Sequence, residues 1–194
     1  MTRPSPLAAL RAFRNDESGS VTVEAILMIP ILVWCYLATF VFFDAFRMQS
    51  SNIKTAYTIG DTLSRETGYV TPNYLTGLFG LQRMLLATNE TRSLQITVYT
   101  YNEANDRFVV RWSRGTGGLN GLTSTTLNAV RNILPNMPNG EIAILTRSRV
   151  NYEPRFSVGL NAFVFDEYTV TRPRFAPQLC WNSVENGSVS TSTC

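Results

Sequence analysis

Two pairs of residues in this chain have the type and spacing to do chemistry: Gly19 with Glu24, and Cys180 with Cys194. Glu24 directly precedes Ala25–Phe43, which carries no charged residue over its length. A carboxylate beside such a run is expensive if the run lies in lipid. Acidic side chains cost about 2.5–3.5 kcal/mol at the centre of a membrane helix, and less near its ends. Two readings stay open. Glu24 either snorkels to the interface, or it has a cationic partner inside the membrane. Were the chain cut after Gly19, the new amine of Ser20 on a neighbouring chain would be such a partner.

Cys180 and Cys194 bound a segment rich in Ser, Thr and Asn that could hardly order itself. Paired, they would close a loop whose constraint is worth roughly 3 kcal/mol in the chain-entropy account. Such a bridge requires an oxidising compartment, and two free thiols are the alternative. Cys35 lies within the apolar run and reads as a small apolar filler. Little else invites chemistry. There is no histidine, which removes the commonest general base and the commonest metal ligand. Ser, Cys and Lys nucleophiles therefore lack an activating base. Gly115–Gly121 follows an expected strand, yet its spacing does not fit a dinucleotide or P-loop fingerprint, so a flexible loop is expected. Asp166-Glu167 reads as a solvated acidic pair. No catalytic residue, metal site or cofactor is assigned. A net charge of +3, with no basic patch interleaved with aromatics, gives no case for nucleic acid.

The elements that must hold these residues follow from periodicity. At 1.5 Å per residue Ala25–Phe43 would extend about 29 Å, near the roughly 30 Å of a bilayer core. A buried core helix and a cleaved secretory signal are the alternatives. Core helices are seldom apolar on every side, and no small-x-small cleavage pattern follows the run. Arg3, Arg11 and Arg14 precede it, while Arg47 and Lys54 follow. That bias favours a cytoplasmic N-terminus and an external C-terminus.

Beyond the run, Phe46, Ile53, Ala56, Tyr57, Gly60 and Leu63 recur at helical spacing, with Arg47 and Lys54 pointing away, and the helix is expected to stop near Gly68. Thr71-Pro72 opens a second helix with Leu75, Leu78, Phe79, Leu85 and Leu86 on its apolar face, ending near Thr88-Asn89. Leu94, Ile96 and Val98 alternate with Gln95, Thr97 and Tyr99. Phe108, Val110 and Trp112 alternate in turn, so 93–113 reads as a hairpin. A short helix is expected around Ser124–Leu134, and strands at 141–152 and 156–171. The expected fold is α+β: a long N-terminal helix, spanning a membrane and continuing beyond it, with a small antiparallel-sheet domain. The expected organisation is a polar leader at 1–19, the long helix at 20–68, an external α+β domain at 69–179 and a disulfide-closed tail at 180–194.

Gly19-Ser-Val-Thr-Val-Glu24 is similar to a type IV prepilin processing site: glycine before the cut, glutamate at the fifth mature position, then an apolar helix. Val23-Glu-Ala-Ile-Leu-Met-Ile-Pro30, with proline six positions after glutamate, resembles more narrowly the TadE/TadG-like proteins of the tight-adherence (Tad, Flp) pilus system. Tyr168-Thr-Val-Thr-Arg-Pro-Arg174 is similar to the closing strand of those proteins. Pilins of that system commonly carry an aromatic after the glutamate, where this chain has Ala25. The resemblance implies a pseudopilin or minor pilin, structural rather than enzymatic, at a bacterial inner membrane. It implies processing between Gly19 and Ser20, helix pairing through Glu24, and a periplasmic C-terminal domain. The implied partners are inner-membrane lipid, other pilins or pseudopilins, the Tad assembly platform and a prepilin peptidase. The competing expectation is a periplasmic binding domain or enzyme for which the helix is only a tether.

Overall fold

The computed structural model describes residues 12–15 and 20–194. The chain divides into two compact units. One comprises the described residues up to Phe43 together with Arg155–Leu160; the other comprises Asp44–Pro154 and Asn161–Cys194.

Helix α1 runs Ser20–Ser64 and contains Pro30. Its sequence carries no glycine before Gly60, and the proline sits in the apolar part, where membrane helices tolerate it. The helix stops four residues short of the expected Gly68, and local hydrogen bonds explain why. Arg65 and Glu66 donate their N–H groups to the carbonyls of Thr62 and Leu63, tightening the last turn, and Arg174 donates its N–H to the carbonyl of Ser64 at 2.7 Å. The Glu66 carboxylate then accepts the N–H groups of Thr67 and Gly68. Carbonyls that a continuing helix would use are thus satisfied from outside it.

Helix α2, Pro72–Leu86, begins as expected. Thr71 caps it by accepting from the Tyr74 N–H, and Pro72 stands in the first turn. It ends two residues early, on Ala87 in a left-handed conformation. Its buried face is Leu75, Leu78, Gln82 and Leu86, with Leu85 turned outward.

Four strands follow: β1 Arg92–Asn102, β2 Arg107–Thr116, β3 Ile142–Tyr152 and β4 Phe163–Thr171. They form one sheet in the order β2-β1-β3-β4, every neighbour antiparallel. A short helix α3, Ser124–Ala129, with a 3₁₀ turn at Arg131–Ile133, lies between β2 and β3. Two-residue strands β5, Trp181–Asn182, and β6, Ser192–Thr193, pair in the tail.

Both faces of the sheet are covered. On one face Ile59 and Leu63 of α1 and Leu75 and Leu78 of α2 pack on Leu94, Ile96, Val98 and Ile144. On the other, Leu127 of α3 packs with Leu134, Tyr99, Phe108 and Leu145. The α+β class and the alternation within β1 stand as expected. The alternation expected of β2 does not. The register pairs Val98 with Trp112 but Tyr99 with Val110, leaving Arg111 as an extra residue. A bulge of one residue flips everything beyond it to the opposite face. Phe108 and Val110 therefore join the α3 side, while Trp112 joins the α1–α2 side.

The stripe expected on α1 is likewise rotated. Its buried residues are Ala45, Met48, Asn52, Thr55, Ala56, Ile59, Gly60, Leu63 and Ser64, whereas Phe46 and Tyr57 are 67% and 61% exposed. Small and polar side chains line the buried face because the sheet lies close to it. Arg47 and Lys54 point outward, as the spacing implied.

Candidate membrane and helix-pairing site

In the unit that holds the first half of α1, most of the helix surface is exposed, Ala38 and Val41 being the buried exceptions. Its most apolar stretch is only 6% buried. Among the described residues it is one helix long and apolar enough to cross a membrane. A soluble core helix would bury most of that surface. Exposed apolar patches beyond a few hundred Å² mark surfaces that lipid or another protein covers. By length and composition such a helix fits a membrane anchor or a signal.

Glu24 is the fifth residue of α1 and is exposed. Helical spacing puts it on one face with Leu27, Met28 and Ile31, all exposed. No ion pair among the described residues involves Glu24. Gly19 lies outside the described residues, and Ser20 enters only as the first residue of α1. The arrangement therefore presents a carboxylate near the start of an otherwise apolar rod.

In the sheet unit, the rest of α1 is locked by polar contacts that sequence patterning missed. Asn52 donates to the Ser148 carbonyl at 3.1 Å and accepts from the Ser148 hydroxyl at 2.6 Å. Gln82 of α2 donates to the same hydroxyl at 2.9 Å and to the Ser93 carbonyl at 3.0 Å. Asn52, Gln82 and Ser148 are fully buried. About two turns further on, Thr171 donates to the Gly60 carbonyl, and the Arg174 guanidinium lies 3.4 Å from Asp61. The end of β4 thus closes on the end of α1. A buried Asn amid apolar spacing is the signal that could have revealed this clasp.

Asp166 and Glu167 are not a solvated pair. Asp166 accepts two hydrogen bonds from Arg147, at 2.8 and 2.6 Å, and Arg147 also stacks over the Tyr168 ring. Glu167 points to the other face, toward Gln49. Burial, and secondarily the charge of Asp166, raise its pKa above the ordinary 4.5, against a hydrogen bond from Gln49 that lowers it.

Cys180 and Cys194 are joined in a disulfide, and Cys35 is free and exposed. The tail is ordered, contrary to what its composition implies. The Asn182 amide donates to the Ser188 carbonyl and the Thr191 hydroxyl, and its oxygen accepts the Val184 N–H. Trp181 enters the main core beside Trp112, ring centroids 5.8 Å apart, and Trp112 donates to the Leu179 carbonyl. Val70 exchanges backbone hydrogen bonds with Cys180 and Asn182. Glu185 accepts the Asn73 N–H in the first turn of α2, where a helix dipole favours negative charge.

The glycine-rich segment is a close-packed loop. At Gly117, φ is +69° and an added Cβ would strike the Arg92 carbonyl. The loop lies against the sheet: Ser113 accepts the Leu122 N–H, and Gln95 donates to the Asn120 carbonyl. A groove beside β2 is lined by Arg107, Ser124 and Asn128 among others. Two of those polar groups already bond the strand, Ser124 through Val110 and Asn128 through both backbone groups of Phe108. Among the described residues no three His, Cys, Asp or Glu side chains cluster as a metal site would require.

Comparison with protein-family profiles, with curated proteins and with solved structures returned no match.

Proposed function

We propose that this chain is a pseudopilin- or minor-pilin-like structural protein of the TadE/TadG type, taking part in assembly of a tight-adherence type IV pilus at a bacterial inner membrane. The observation that carries the reading is Glu24: an exposed carboxylate at the fifth position of an exposed apolar helix that runs unbroken into a small sheet domain. In this reading α1 crosses the membrane once, N-terminus cytoplasmic, and the sheet domain lies in the periplasm, where Cys180–Cys194 persists. A prepilin peptidase cuts between Gly19 and Ser20. Glu24 then pairs with the new amine of a neighbouring pilin helix. Other pilins and the Tad assembly platform are the partners.

A tether needs neither Gly19 nor Glu24, whereas a periplasmic enzyme or binding domain needs free polar groups converging on a pocket. The polar lining of the β2 groove is partly engaged in holding its own strand, which favours the structural reading. Two measurements test it. A reporter active only in the periplasm, fused after Cys194, should be active. Intact mass from cells with and without a Tad prepilin peptidase should differ by Met1–Gly19. An unshifted mass in both strains removes processing, and a silent reporter reverses the orientation.

A further inference from the structure

The connection between β3 and β4 is apolar at its tip. Arg155-Phe-Ser-Val-Gly-Leu160 belongs to the same compact unit as the first half of α1. Val158 is buried against Ala38 and Val41, with Leu37 and Leu160 packed around them. The Phe156 ring stands edge-on to Phe40, centroids 6.4 Å apart, yet remains 42% exposed. The helix residues that receive this loop lie inside the uncharged run.

We propose that this loop is a second membrane-contacting element. It seats Phe156 and Leu160 in the headgroup layer of the phospholipid leaflet, and so fixes where α1 leaves the hydrocarbon. The inference rests on the reading of α1 as a membrane span. Three arguments select lipid as the occupant. First, lipid-exposed irregular backbone is not tolerated in hydrocarbon, whereas the headgroup layer accepts it. Second, dimensions agree. Leu37–Val41 covers about 6 Å of helix at 1.5 Å per residue. The headgroup layer is of similar depth, roughly 5–8 Å on each side of a 30 Å core. That places the hydrocarbon boundary near Tyr36 rather than Phe43. Ser20–Tyr36 then spans about 25 Å, at the short end of what crosses a bilayer. Third, the side chains at this level are interfacial types. Trp34 and Tyr36 are exposed on the helix, and such residues form belts at the membrane–water boundary. Arg155, also exposed, offers a cation for lipid phosphate.

The test uses the full chain in vesicles of phosphatidylethanolamine and phosphatidylglycerol. Single nitroxide labels are placed, on a Cys35→Ser background, at Met28→Cys, Ser157→Cys and Thr125→Cys. Accessibility to oxygen and to a water-soluble nickel chelate gives the depth of each. The Met28→Cys label should be the deepest, and the Thr125→Cys label should be freely open to nickel. The Ser157→Cys label should fall between, several-fold less open to nickel than the Thr125→Cys label. Phe156→Ser should move it toward water. Equal nickel access at Ser157→Cys and Thr125→Cys, with Met28→Cys still shielded, overturns the loop proposal and leaves the anchor standing. A nickel-open Met28→Cys label removes the anchor reading, and the loop proposal with it. Shielding of Ser157→Cys that vanishes when the protein is diluted in lipid assigns the loop to a second copy of the chain, and overturns the lipid assignment.

Discussion

Asn52 of α1 and Ser148 of β3 exchange two hydrogen bonds in the fully buried centre of the sheet domain. Gln82 of α2 joins them by donating to the same Ser148 hydroxyl, while its own Oε1 is buried and accepts no hydrogen bond among the described residues. Three elements therefore meet at one serine. Apolar packing already favours one face of α1, and this clasp adds a second constraint on both the phase and the height of the helix. Buried polar networks specify a unique arrangement when their members are satisfied, and cost heavily when they are not.

Asn52→Ala should therefore destabilise the domain by about 2 kcal/mol, the cost of leaving buried partners unbonded. Gln82→Ala should cost less, because it also removes a buried Oε1 that no donor reaches. The double variant should lose less than the sum, because both residues depend on Ser148. Denaturant unfolding in detergent, followed by tryptophan fluorescence, gives the cycle. Strict additivity would mean that the two contacts act independently.

At Gly60 β4 lies close against α1. An added Cβ would lie 3.0 Å from the Thr171 methyl group. Gly60→Leu should loosen the β4 end by about 1–3 kcal/mol through overpacking. Gly60→Ala gains up to about 1 kcal/mol of helix propensity but must displace that methyl. Adding Thr171→Ser removes the methyl and keeps the hydroxyl that bonds the Gly60 carbonyl. The double variant Gly60→Ala/Thr171→Ser should thus be more stable than Gly60→Ala alone, as read by melting temperature.

Much of this arrangement was legible in the sequence wherever its cause was local. Thr71-Pro72 starts α2 because a cap and a first-turn proline act within one turn. Leu94, Ile96 and Val98 share a face because a regular strand alternates. The errors have tertiary causes. Trp112 changed faces through a bulge at Arg111 that only pairing with β1 defines. Phe46 and Tyr57 carry more apolar surface than Asn52 and Thr55, yet the close approach of the sheet selects the smaller side chains for burial. The tail looked unable to order itself, but Asn182 supplies the local bonds and Trp181 the anchor. Of the candidate site, Glu24 and the apolar helix were readable from charge and run length. The loop at Arg155–Leu160 was not, since its apolar residues resemble a strand until their partners on α1 are known.

The disulfide closes a tail that packs on the core, so its loss should be felt there. Cys194→Ser should cost about 3 kcal/mol in the chain-entropy account. It should also weaken the near-ultraviolet circular dichroism of the Trp112–Trp181 pair. Alkylation of the unreduced protein should modify Cys35 alone. Labelling of all three thiols would show that the bridge does not form in the cell.

Glu167 should make stability depend on pH with a defined sign. Its folded pKa is raised, chiefly by burial. The native state then holds the proton more tightly than the unfolded chain, so stability falls as pH rises from the unfolded value toward the folded one. Above that window the partly desolvated charge is a standing cost. Glu167→Gln should raise the melting temperature at neutral pH, and the gain should vanish below the ordinary value of 4.5. A gain that persists unchanged in acid would place its origin in packing rather than charge.

Glu24 carries the functional reading, and its prediction separates insertion from assembly. Near the start of α1 the carboxylate is exposed beside Leu27, Met28 and Ile31. In lipid such a group is unfavourable alone and is relieved by a cation on a neighbouring helix. Truncating it removes an insertion penalty and a pairing contact together. Glu24→Ala should therefore insert at least as well as the native chain, measured as the amount in the membrane fraction. It should nevertheless fail to support pilus assembly. Glu24→Gln keeps the shape and a hydrogen-bonding amide but no charge, so it should behave like Glu24→Ala if charge pairing is what matters. Glu24→Asp keeps the charge on a shorter stem and should rescue in part. Sheared-pilus yield, compared with membrane abundance for each variant, gives the answer. Normal piliation in the Glu24→Ala strain would reduce α1 to an anchor. Loss of the protein from the membrane in that strain would show instead that Glu24 serves insertion, against the sign of the lipid cost.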